Sequence, residues 1–313
     1  MEAVLQWGLD CVRLIQTWSS PPLNILMRII TELGSVTAYL VLLPLIYWCI
    51  DEKKGLRLGI AALFSTWINL VLKFALDQPR PFFAGYDPSV GMIAEKLGGF
   101  PSGHAQNSLV MWLIIASWGN RKRHWCAAAF FCLLIGFSRV YLGVHFPTDV
   151  AGGWLIGGIL LTVYFLAGKR LESMISAQGP RAGLIICAAL SFVMILYRPS
   201  AELLMPPAML LGLGGGYYLC KQRVGFTASV SAGKAGTKGA AKYLILLVRF
   251  LLGLTVLALL YVITEKVIAG MNNSANYQLV IFLRFSALAL WVSAGAPWLF
   301  RFMRLAAGTG ENG

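Results

Sequence analysis

The stretch HFPTDVAGGWLIGGILLTVYFLA, residues 145–167, opens with a histidine and a carboxylate four positions apart and then carries no charged residue for eighteen positions. A helix of that length is close to crossing a hydrocarbon core roughly 30 Å thick. Similar apolar runs recur from residue 36 to residue 300. The 313-residue chain is 58% hydrophobic and only 12% charged, whereas soluble domains carry about 25% charged residues. The expected fold class is all-α, a polytopic transmembrane helical bundle with spans at 34–50, 57–76, 104–119, 124–141, 148–167, 182–197, 203–220, 243–263 and 279–300.

The formal charge of +13 would suggest a nucleic-acid partner in a soluble protein. Here most Lys and Arg sit in short loops between apolar runs, so membrane topology accounts for them and no nucleic acid is expected. One set of loops gathers sixteen cations: Lys53, Lys54, Arg57, Arg121, Lys122, Arg123, Lys169, Arg170, Arg181, Lys221, Arg223, Lys234, Lys238, Lys242, Arg301 and Arg304. Positive-inside bias makes that side cytoplasmic. Loops 77–103 and 142–147 then face out of the cytoplasm, with the N-terminus outside and the C-terminus inside. Residues 4–33 hold Arg13, Arg28 and Glu32, costly in a bilayer, and read as interfacial amphipathic helices. The N-terminus lacks the basic region of a cleavable signal peptide, so insertion is expected to rely on the first span. Six cysteines show no C-x-x-C and no metal-ligand spacing, so neither a disulfide framework nor a zinc site is expected.

Polar chemistry concentrates in three stretches. Lys73, Arg80 and Arg139 lie where two spans and one loop can bring them together, and three cations suit a dianionic phosphate. Snorkelling alone could explain Lys73; it explains Arg139 poorly, because Arg139 follows a long apolar run. Pro101-Ser102-Gly103-His104 sets up a helix start, whose free N–H groups favour an anion; an ordinary N-cap is the alternative. His104 at such a start can donate a proton to a leaving oxygen. His145 and Asp149 are spaced so that the carboxylate can fix the imidazole tautomer and leave the other nitrogen free to attack; a simple helix cap is the alternative for that pair. Arg249 and Arg284, inside late spans, are expected to snorkel or pair structurally. Glycines 152, 153, 157, 158, 212, 214, 215 and 216 are expected to permit close helix packing.

These pieces, K-x6-R-P from Lys73, P-S-G-H from Pro101 and S-R-x5-H-x3-D from Ser138, resemble the signature of the type-2 phosphatidic acid phosphatase superfamily. The resemblance covers about residues 30–167. It implies a metal-independent phosphatase with no cofactor. In that reading His145 attacks phosphorus to form a phosphohistidine, Asp149 orients its ring, and His104 protonates the leaving oxygen and then activates water. Lys73, Arg80, Ser102, Gly103 and Arg139 hold the phosphate.

The expected organisation is an interfacial segment 1–33, a phosphatase core 34–197 and an extension 198–313 of about three spans, with a flexible cytoplasmic linker at 221–242 that is rich in Gly, Ala, Ser and Lys. A site opening at the interface beside the apolar loop 77–103 points to a phosphate head on a lipid, with membrane lipids as its surroundings. Undecaprenyl diphosphate comes first. Phosphatidic acid, phosphatidylglycerophosphate and sphingoid phosphates follow, and a lipid phosphotransferase stays open. A non-hydrolytic lipid transporter is the reading from another class, but it gives no reason to keep both histidines and Asp149 at this spacing. Self-association is left open.

Overall fold

The computed structural model describes residues 2–83, 88–93, 95–119, 121–198, 200–228, 239–271 and 276–306. Among them twelve α-helices follow one another: α1 (Glu2–Gln16), α2 (Pro21–Glu32), α3 (Val36–Cys49), α4 (Glu52–Leu76), α5 (Gly103–Gly119), α6 (Lys122–Tyr141), α7 (Pro147–Ala177), α8 (Gly179–Ile195), α9 (Ala201–Arg223), α10 (Ala240–Ala269), α11 (Tyr277–Leu290) and α12 (Ala296–Phe302). A 3-10 turn, Pro88–Val90, lies between α4 and α5, and a π-helical turn, Trp291–Gly295, joins α11 to α12.

Helices occupy all nine segments expected to span. Six stretches are long and apolar enough on their own: α4, α6, α7, α9, α10 and the continuous Tyr277–Phe302. The helices α2 and α3 meet the same test only when taken together, with a 48° bend between them, and α3 occupies the segment expected at 34–50. The remaining two, α5 and α8, have 17 residues each. Helices suit these runs because a helix satisfies its own backbone groups where no water can.

The chain forms two compact units, Met1–Tyr39 with Phe64–Gly168, and Leu40–Leu63 with Lys169–Gly313. In the first, α1 buries Leu5, Leu9 and Val12 against Val90, Ala105, Val140, Phe146 and Val150, while Val4, Trp7, Leu14 and Trp18 stay exposed. Met27 and Ile30 of α2 pack with Ile135, Tyr141, Leu142 and Val144. Gln16 ties these layers by donating to the Val90 and Tyr141 carbonyls, at 2.8 and 2.9 Å. The N-terminal helices thus pack on the elements that carry the polar stretches.

In the second unit, added side chains at Gly212 and Gly216 would collide with the Ser286 carbonyl and the Ser293 hydroxyl, which fixes α9 close to α11 and the π-turn. Arg249 is buried and donates to the Leu305 and Ala228 carbonyls at 2.7 and 2.9 Å. Arg284 pairs with Glu265 and lies 4.5 Å over the Tyr261 ring. Both late arginines therefore have structural partners. Of the expected linker 221–242, residues 229–238 lie outside the described residues; 221–223 complete α9, and Ala228 donates to Glu52 at 2.9 Å.

Within the first unit α7 lies close to the start of α5. A Cβ on Gly153 would sit 2.6 Å from the Ser102 carbonyl oxygen, and one on Gly157 3.0 Å from that of Gln106. A Cβ on Gly158 would meet no atom of the described residues within 4 Å, so the close-packing expectation fails there. Gly153→Ala should lose about 1–3 kcal/mol through overpacking, seen as a lower melting temperature in detergent. Gly158→Ala should be neutral or gain up to about 1 kcal/mol from helix propensity. Equal melting temperatures for the two variants would contradict this packing.

Candidate active site

The three polar stretches meet where four helix ends converge in the first unit. Lys73 occupies the last turn of α4, Ser102 and Gly103 the start of α5, Arg139 the last turn of α6, and His145 and Asp149 flank the start of α7. All but Gly103 and His104, which are half-buried, are buried side chains. Chain punctuation explains the arrangement: α4 ends at Leu76, Asp77 takes a left-handed φ of 39°, and Pro79 and Pro81 keep the chain from resuming a helix.

Lys73 and Arg80 are held by backbone oxygens, and Arg139 by side chains. Lys73 Nζ donates to the Gly98 and Gly99 carbonyls at 2.6 and 3.1 Å. Arg80 Nε donates to the Leu97 carbonyl at 2.6 Å, and its Nη1 to the Val144 carbonyl at 2.7 Å. Arg139 Nη1 donates to Thr31 Oγ1 at 2.9 Å, and its Nε is buried without a partner among the described residues. Burial pushes Arg80 down to about 10, against the opposing pull of Glu95.

His145 Nε2 lies 3.3 Å from Arg80 Nη1, and its Nδ1 lies 3.2 Å from Asp149 Oδ2. A guanidinium has no lone pair to offer, so Arg80 donates and Nε2 accepts. The ring proton therefore sits on Nδ1, facing the carboxylate, and the lone pair faces the cations. The pair does not share a helical face, since α7 begins at Pro147. Instead Asp149 Oδ2 also accepts from the Phe146 N–H at 2.9 Å, the reciprocal half of a capping box. The cap and the orienting carboxylate are one side chain. Burial first, then the charges of Arg80, Lys73 and Arg139, hold the His145 pKa well below the ordinary imidazole value. His104 is also near enough to act on that ring electrostatically.

Ser102 is committed on three sides: its N–H donates to the Asp149 carbonyl at 2.9 Å, its carbonyl accepts from Gln106 N at 3.0 Å, and its hydroxyl accepts from Ala105 N at 3.5 Å. The amides of Gly103 and His104 fall in the first turn, where a helix has no internal acceptor for them. A Cβ on Gly103 would come 2.9 Å from Asn69 Oδ1.

Two features carried no signal in the motifs. Glu95 pairs with both guanidiniums, with Arg80 Nη2 at 3.7 Å and with Arg139 Nη2. Beneath the Ser102-Gly103 turn runs a buried polar seam. Asn69 Nδ2 donates to the Pro101 carbonyl and to Gln106 Oε1, at 3.2 and 2.9 Å. Gln106 Nε2 donates to the Ser65 carbonyl at 2.7 Å, and Ser65 Oγ donates to Asn107 at 2.6 Å. Amides inside apolar spans were the available cue; Glu95 had none beyond the need of buried cations for a counter-charge. Of the loop carboxylates, Asp77 ends α4, and Asp87 lies outside the described residues. The assembled cluster can hold an anion beside an imidazole whose Nε2 lone pair is turned toward the cations.

The profile of the PAP2 superfamily matches residues 54–172, and that of the PAP2 superfamily phosphatase transmembrane extension matches residues 205–308. Phosphatidylglycerophosphatase B of Bacillus subtilis (strain 168) is 33% identical over 159 residues, covering 47% of this chain and 74% of the relative. Undecaprenyl-diphosphatase BcrC of the same organism is 31% identical over 157 residues, covering 49% of this chain and 79% of the relative. Sphingosine-1-phosphate phosphatase 2 of Mus musculus is 29% identical over 162 residues, covering 49% and 45%. The chain belongs to the PAP2 superfamily and is a polytopic membrane phosphatase that carries the family's transmembrane extension.

Proposed function

We propose that this phosphatase hydrolyses a lipid phosphate or diphosphate head group at the outer membrane face through a phosphohistidine at His145, with undecaprenyl diphosphate as its first substrate. The observation that carries the mechanism is the His145 ring itself, with Nδ1 directed to Asp149 and Nε2 facing Arg80. The Nε2 lone pair forms the bond to phosphorus while the bond from phosphorus to the leaving oxygen breaks. His104 gives its proton to that oxygen. Water then attacks the phosphohistidine, His104 takes the water proton, and breaking the P–N bond frees inorganic phosphate and restores His145. Asp149 stabilises the charge that develops on the ring.

Lys73, Arg80 and Arg139 neutralise the pentacoordinate phosphorus, with the Ser102 hydroxyl and the Gly103 amide as further donors. Preset charges of this kind lower the barrier without reorganising during the reaction. They supply the electrostatic role that paired metal ions fill in other phosphatases. The site's place at four helix ends supports a head group reached from the membrane surface. The sixteen-cation loop set supports the outward orientation. The names of the relatives support a lipid phosphate as substrate and divide over which one; the identity to phosphatidylglycerophosphatase B favours phosphatidylglycerophosphate as the second reading.

The test is phosphate release by purified protein in detergent, with undecaprenyl diphosphate, phosphatidylglycerophosphate and phosphatidic acid at equal mole fraction, with and without EDTA. Release should be greatest from undecaprenyl diphosphate and persist in EDTA; absence of release from every lipid would end the proposal. His145→Ala should lose turnover by about a thousandfold or more while melting as the wild type does, and undiminished hydrolysis would remove His145 from its role.

The depressed His145 pKa has a second consequence. The unfolded chain binds a proton on this ring below about 6.5, and the folded site refuses it, so His145 subtracts stability as pH falls through that value. In 15N-histidine NMR spectra, where only three histidines contribute, its ring should still be neutral well below the pH at which an ordinary imidazole takes up its proton. Titration near 6.5 would contradict the burial and cation environment described above.

A further inference from the structure

Glu95 has no part in the chemistry above, yet its carboxylate bridges Arg80 and Arg139, the two guanidiniums assigned to the phosphate. Carboxylate and phosphate oxygens compete for the same planar N–H donors, so both cannot be fully engaged at once. The two arginine side chains are 2% exposed, whereas that of Glu95 is 28% exposed, so it meets them from the open side. The chain on either side is anchored by other bonds. Arg28 Nη2 donates to the Met92 carbonyl at 2.8 Å, and Leu97, Gly98 and Gly99 accept from Arg80 and Lys73. Glu95 can therefore leave the guanidiniums while the backbone around it remains tied.

We propose that Glu95 is an internal anion that occupies the phosphate site and must be displaced by substrate or by any other phosphate ligand. This inference rests on the reading of Arg80 and Arg139 as phosphate donors. A lipid phosphate brings two negative charges and an apolar tail whose burial contributes binding energy away from the reacting centre. Inorganic phosphate has no tail and meets the same competitor unaided. Return of Glu95 after the P–N bond breaks would also help expel the phosphate product. Displacement lowers both affinities by the same factor; burial of the tail offsets that loss for the lipid, and nothing offsets it for inorganic phosphate.

The apparent affinity of a ligand falls in proportion to the fraction of protein competent to bind it. If Glu95 holds the site in about nine molecules of ten, its removal should strengthen inorganic phosphate binding about tenfold. The experiment measures the inhibition constant of inorganic phosphate, during hydrolysis of undecaprenyl diphosphate or whichever panel lipid is turned over, for wild type and Glu95→Gln. The variant should be inhibited at about one tenth of the phosphate concentration, and its KM for the lipid should fall in the same proportion where KM reports binding. Inhibition equal to or weaker than wild type would overturn the proposal, as would a raised lipid KM with phosphate inhibition unchanged. If Glu95→Gln does not fold, Glu95→Asp serves, since its shorter side chain keeps the charge but cannot span both guanidiniums. It should show intermediate inhibition, and a wild-type value would be contrary. Wild type that hydrolyses none of the panel lipids would instead defeat the functional reading, so the two failures are separable.

Discussion

Burial of the Arg80 and Arg139 guanidiniums is the constraint from which the rest of the site follows. A charge removed from water costs several kcal/mol unless it is paired and fully hydrogen-bonded. Here the partners are the carbonyls of Leu97 and Val144, the Thr31 hydroxyl and the Glu95 carboxylate. Those contacts fold the loop after α4 back over the helix ends. With Lys73 on Gly98 and Gly99, the cations shape the loop that in turn shields them. Three cations against Asp149 and Glu95 leave the cluster one positive charge in excess, and two once Glu95 withdraws, which is the charge that a phosphate dianion brings.

The site is assembled almost wholly from helix ends, and its groups hold the fold as well as the substrate. Asp149 caps α7 through the Phe146 amide and fixes the His145 tautomer with the same oxygen. Ser102 begins α5 and links to the Asp149 backbone, so the two helices that carry His104 and Asp149 share a hydrogen bond. The seam of Ser65, Asn69 and Gln106 holds that junction from below. Because these amides are buried, their geometry is set by satisfied bonds rather than by solvent, which favours a preformed anion site.

Legibility in the sequence followed the range of each interaction. Spans were readable because hydrophobicity over some twenty residues is a local property, and each expected segment is helical. The break between α2 and α3 falls where Arg28 and Glu32 already separated the interfacial segment 1–33 from the span at 34–50; the bend between them had no local signal. The His145 and Asp149 spacing left an orienting carboxylate and a helix cap as alternatives, and the structure has both at once, because α7 starts at Pro147 and Asp149 Oδ2 meets the Phe146 N–H as well as the ring. Glu95 was silent because its pairing with Arg139 spans 44 positions and arises from a loop without periodicity. Asn69 and Gln106 were visible as amides in apolar runs, but which partners they find depends on the close approach of α4 and α5.

The second unit, built around the glycine face of α9 and the buried Arg249 and Arg284, contributes none of the catalytic candidates. The central claim therefore rests on His145 alone, as the atom that bonds to phosphorus. Its most direct test is to quench turnover of lipid substrate labelled in the transferred phosphate under alkaline conditions, where a phosphohistidine survives, and to locate the label by peptide mass spectrometry. The account predicts phosphate on the peptide that contains His145, and none after His145→Ala. Turnover with no labelled protein, or with label on another residue, would contradict it.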